Sequence, residues 1–90
     1  MIKGKLKLGD MVVIEWEDSY GCSSRWEEIS GDSPPQTMLC RSVGWVTSVN
    51  EKCVVIVPHI AENSKLDVRQ GIGDMAIPQR SITHVKRVGT

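Results

Sequence analysis

The stretch that most constrains this chain is Cys40–Ile60, CRSVGWVTSVNEKCVVIVPHI, which holds two apolar runs joined by a short polar link. The runs Val43–Val49 and Cys53–Val57 are rich in Val, Ile, Thr and Trp, the side chains that suit a pleated, half-buried surface. Separated only by Asn50-Glu51-Lys52, they predict a β-hairpin. Alternation places Val43, Trp45, Thr47 and Val49 on one face of the first run, with Gly44, Val46 and Ser48 on the other. In the second run both faces are apolar, which predicts a central strand.

Around this hairpin the chain reads as β throughout. Ile2–Leu8 alternates lysine with apolar residues, the pattern of an edge strand protected against aggregation. Met11–Glu17 predicts a second strand with Val12, Ile14 and Trp16 inward. Pro58–Ser64 reads as loop, Lys65–Gln70 as a short irregular strand and Gly71-Ile72-Gly73-Asp74 as a tight turn. Met75–Ile77 is a short strand ended by Pro78, followed by a helical turn around Gln79–Ile82 and a closing strand through Val88. The expected core is Val12, Ile14, Trp16, Val43, Trp45, Val54, Ile56, Ile77, Ile82 and Val85, with an outward, interface-facing Trp45 as the alternative. Ninety residues make one small domain, a single β-barrel unit with a long loop at 18–37. A domain this size gains from self-association, so a homo-oligomer is expected.

Charge and cysteine content exclude several classes. Lys plus Arg equals Asp plus Glu at 11 each, which argues against a nucleic-acid binder, whose affinity comes from clustered cations. The acids Asp10, Glu15, Glu17, Asp18, Glu27, Glu28 and Asp32 nevertheless gather before residue 33, while Lys3, Lys5, Lys7, Arg80, Lys86 and Arg87 lie near the two ends. Acidic stretch against basic ends, within or between subunits, is one reading and a solvated surface the other. No run reaches the roughly 20 apolar residues of a membrane span. Three dispersed cysteines without a leader pattern fit reduced thiols in a cytoplasmic setting. No two of Cys22, Cys40 and Cys53 have the close spacing of a structural zinc site, so neither metal nor cofactor is expected. No nucleophile elbow or phosphate-binding loop occurs, and Glu15/Glu17 and Glu27/Glu28 are explained by exposure. A non-enzymatic role is expected.

The order of long first loop, central hairpin, short strand, proline-led helical turn and last strand resembles the Src-homology-3-like small barrel. That resemblance implies a strongly curved antiparallel barrel of five to six strands. Proline-peptide-binding members line their groove with aromatics, whereas this chain has no Phe, one Tyr and three Trp. The segments VIEWEDSYG, SVGWV, VVIVPH and QGIGDMAIP resemble short uncharacterised proteins encoded in bacteriophage and prophage genomes. This second resemblance spans nearly the whole chain and implies a host-cytoplasm setting.

The candidate binding residues follow from the unusual 18–37 segment and from the glycine turn. Tyr20, Arg25 and Trp26 are the types enriched at binding hot spots, and they sit in a loop of uncommon length. Arg25–Ile29 could form one helical turn, and Trp26 could instead fold back over the end of the barrel. Gly71, Gly73 and Asp74, with His59 and Arg80 on a shared rim, form a second candidate group, since backbone amides of glycine turns can cradle anions. The leading expectation is a phage-type binding protein engaging a host protein through 18–37. The alternatives are an oligomeric sponge for a nucleotide-like signalling molecule, acting in counter-defence, and a minor virion or assembly component.

Overall fold

The computed structural model describes residues 6–19, 26, 28, 29, 31 and 36–89. Its elements are β1 (Met11–Ser19), β2 (Thr37–Val49), β3 (Cys53–Val57), β4 (His59–Asn63), β5 (Val68–Ile72), β6 (Met75–Pro78), a 3₁₀ turn (Gln79–Ser81) and β7 (Ile82–Arg87). Five strands form one antiparallel sheet in the order β6-β3-β2-β1-β7, and β4 and β5 pair in a sheet of their own. The chain is therefore mainly β and antiparallel. Among the described residues no helix is long and apolar enough to cross a membrane.

The β2–β3 turn closes as its residues dictate. Asn50 Oδ1 accepts from the N–H groups of Lys52 (2.8 Å) and Cys53 (2.9 Å), and Asn50 N–H donates to Cys53 O (3.0 Å). A short amide side chain that bonds its own backbone two residues on is the usual reason for Asn in such turns. Gln79 then fastens the 3₁₀ turn here, donating from N–H to Lys52 O (2.8 Å) and from Nε2 to Asn50 O (3.0 Å).

One face of the large sheet carries the core: Val12, Ile14, Val46, Val54, Ile56, Ile77 and Ile82, with Leu6, Trp16 and Val85 packed against it. Burying each Val or Ile side chain is worth about 1.5–3 kcal/mol. Trp16 lies at one end, donating from Nε1 to Ser42 Oγ (3.0 Å). One expected core residue, Val43, is corrected, and Trp45 takes its outward alternative. Val43 is 56 % exposed and Trp45 only partly buried, both facing away from Val46, which is 1 % exposed. Gly44 supplies the reason. A Cβ there would stand 2.8 Å from Val57 O and 3.2 Å from Ile56 Cβ, so the end of β3 crosses the inner face of β2. Gly44 leaves room for that crossing, and the indole goes to the other side. The β2–β3 register slips between Val46 and Ser48, the kind of irregularity that bends and twists a strand.

Other departures are local. Leu6–Leu8 is not strand; Lys7 O accepts from Asp10 N–H (3.0 Å) and the chain turns there, while Ile2–Lys5 lies outside the described residues. Pro58–Ser64, read as loop, contains β4, which pairs along His59–Asn63 with Val68–Ile72. Trp26, Glu28 and Ile29 are not helical.

Two hairpins extend from the body. The β1–β2 ladder continues to Ser19↔Thr37, past the last β7 partner at Trp16↔Ile82 and the last β3 partner at Trp45↔Val57. The result is a two-stranded arm at the base of the 18–37 segment. The radius of gyration, 17.2 Å, exceeds the roughly 12 Å of a compact chain of this length, as projecting arms require.

Candidate interaction surface

The arm is held by polar contacts on its outer side. Arg41 Nε lies 2.7 Å from Glu15 Oε2, and Thr37 Oγ1 donates to Glu17 Oε2 (2.9 Å). These exposed contacts each contribute well under about 1 kcal/mol, but they fix the β1–β2 register at the arm. Beyond it stand Trp26, fully exposed, and Ile29, 98 % exposed, with Met38 and Leu39 exposed on the arm itself. Trp26 therefore does not cover the end of the sheet. Tyr20 and Arg25 lie outside the described residues. Ile29, Met38 and Leu39 were not singled out from sequence, although only Arg41 and Ser42 separate the Thr37–Cys40 stretch from the apolar Val43–Val49 run.

The glycine group is only partly assembled. His59 pairs with Ile72 and so neighbours the turn, and Asp74 is exposed between β5 and β6. Gly73 has φ +80°, and a Cβ there would meet Pro58 Cγ at 3.1 Å. Gly71 pairs with Ile60 in the ladder and lies over Val57, where a Cβ would be 3.3 Å from Cγ1. Both glycines thus seat the β4–β5 hairpin on the end of β3. Arg80 belongs to the 3₁₀ turn, fastened beside Lys52 at the other end of β3. At about 3.3 Å per residue the length of β3 puts it roughly 13 Å or more from His59. The five residues do not share one rim.

A half-open hollow of about 220 Å³ lies between the body and this hairpin, lined in part by Leu8, Thr47, Val57, Ile60, Arg69 and Gly71. It is smaller than the about 300–1,000 Å³ usual for small-molecule sites. Among the described residues no three His, Cys, Asp or Glu side chains gather as metal ligands. Cys40 and Cys53 are free and half-buried.

The acidic stretch meets the basic C-terminal strand at Asp10. Asp10 Oδ2 accepts from Lys7 N–H (2.9 Å) and lies 3.0 Å from Arg87 Nε. The Lys7 amide, then the Arg87 guanidinium, hold the Asp10 carboxyl below its ordinary range. A depressed folded-state value stabilises the fold above the unfolded value, near ~3.9, and this contribution disappears as pH falls through the lower folded value. Asp10→Asn should keep the acceptor for Lys7 and lose the charge. Its melting temperature is expected to fall below wild type at neutral pH and to converge with it in strong acid. A constant difference across that range, followed by circular dichroism, would assign the effect to another group.

Compared with protein-family models, curated proteins and solved structures, the chain matches none.

Proposed function

We propose that this chain is a non-enzymatic binding module that presents the 18–37 segment to a protein partner. The observation that carries the reading is the pair Trp26 and Ile29, large apolar side chains left almost wholly in water beyond a projecting arm. Scattered exposed apolar residues are ordinary, but a large aromatic anchor such as Trp26, left fully in water, is what a partner pocket desolvates. On the bacteriophage resemblance, the partner is a host protein and the setting the host cytoplasm.

The scaffold we infer is a Src-homology-3-like small barrel. Its support is the strand order β6-β3-β2-β1-β7 and the Pro78-led 3₁₀ turn before the last strand. Ile14 and Ile77 are wholly buried on one face of a single sheet, which a sheet curled on itself accounts for. A nucleotide sponge would need further walls around the small hollow, supplied by a second subunit.

Trp26→Ala with Ile29→Ser is the test, because neither side chain packs on the body. Partner capture is expected to drop at least tenfold with an unchanged melting temperature. Undiminished capture would remove the segment from the interface.

A further inference from the structure

We propose that a second copy of this chain adds to the free edge of β2 along Thr37–Val43, antiparallel and about a two-fold axis through Cys40. This rests on the strand edge and not on Trp26 or Ile29, so it stands or falls separately from the partner reading above.

Val46 N–H donates to Asp10 O (2.8 Å), and Met11–Ser19 pairs with β2 without a slip from Trp45 to Thr37. In an antiparallel ladder the direction of the backbone groups alternates. Even-numbered β2 residues therefore bond to β1, and Thr37, Leu39, Arg41 and Val43 direct their N–H and C=O groups to the opposite side. Among the described residues nothing pairs there, because β3 pairs with β2 only from Trp45 to Val49. The sequence of this edge, TMLCRSV, has neither proline nor lysine. The other edges of the five-stranded sheet are protected: β6 is four residues long and ends in Pro78, β7 carries His84, Lys86 and Arg87, and β1 passes its last β7 partner with Glu17 and Asp18. Open apolar edges recruit strands, and natural proteins blunt those that must stay single.

Register and charge select a copy of the same strand as the occupant. An axis through Arg41 would set that residue opposite itself, and like charges directly opposite are destabilising. An axis through Leu39 would shorten the paired stretch to Thr37–Arg41. With the axis through Cys40, all seven residues pair, and Thr37, Leu39, Arg41 and Val43 form four hydrogen-bonded pairs exchanging about eight bonds. Leu39 then faces Arg41 of the second copy. That guanidinium lies between its own Glu15 and, across Leu39, the Glu17 paired with it. On the inner face Cys40 meets Cys40 of the second copy, each backed by its own Trp16, and Met38 meets Ser42. The pairing covers Met38 and Leu39, both now exposed.

Sedimentation equilibrium at micromolar concentration is expected to give twice the chain mass. Leu39→Pro should give the single-chain mass with an unchanged β spectrum, since the Leu39 N–H makes no bond to β1. Independently, opposed Cys40 residues in a non-hydrogen-bonded pair would have Cα atoms about 4.5 Å apart, within disulfide reach. In a Cys22→Ser, Cys53→Ser variant, diamide should oxidise the two thiols to an intermolecular disulfide, itself being reduced to the hydrazine. A wild-type monomer, a dimer that persists in a folded Leu39→Pro, or a failure of Cys40 to cross-link would each overturn the proposal. The cross-link decides the matter if the proline variant does not fold.

Discussion

Gly44→Val is expected to cost about 3 kcal/mol, a large share of the roughly 5–13 kcal/mol that stabilises a domain of this length. An alanine Cβ already meets the Val57 carbonyl oxygen at 2.8 Å. That atom belongs to the backbone of β3, inside the sheet, so it cannot swing aside as a side-chain tip would. Replacing a strand glycine by alanine ordinarily gains roughly 0.5–1 kcal/mol. Here the clash outweighs it, and Gly44→Ala should also destabilise, by about 1–2 kcal/mol. Urea midpoints at constant slope would measure both. Unchanged stability in Gly44→Ala would mean that β3 does not cross the inner face of β2.

Ile14→Ala should cost about 3–4 kcal/mol, because it removes a fully buried side chain from the middle of the core. The informative comparison is on β2. Val46→Ala should cost about 1–3 kcal/mol, and Val43→Ala, three residues away on the other face, about 0.5 kcal/mol or less. The reverse ranking would place Val43 and Trp45 inside and invert the strand. Concentration-independent unfolding of the Val43 variant would also separate monomer stability from any effect on association.

The comparison of Val43 with Val46 also shows where sequence reading stopped. Both faces of the run Val43–Val49 hold apolar residues, so alternation established a strand but not its inner side. The choice was made by the crossing at Gly44, a contact between strands that a single strand's pattern does not contain. The hairpin turn was legible because Asn50 closes it with its own side chain. Ile77 and Ile82 were legible because Pro78 and the 3₁₀ turn separate two isolated inward residues. β4 was missed because Pro58 and the polar residues around Ile60 mimic a loop, and its partner β5 is itself weakly patterned. The 18–37 segment stood out by composition alone. Its composition suggested Trp26 as either lid or anchor, and the full exposure of Trp26 excludes the lid. The rim of His59, Gly71, Gly73, Asp74 and Arg80 failed as a group because the length of β3, not sequence distance, keeps Arg80 apart.

Native mass spectrometry after incubation with an extract of infected host cells tests the binding-module reading most directly. The wild-type chain should carry a stoichiometric protein adduct, and the Trp26→Ala, Ile29→Ser variant should carry none while keeping its own subunit number. An adduct of equal abundance on the variant, or a wild-type chain carrying only a few hundred daltons of small molecule between subunits, would contradict it.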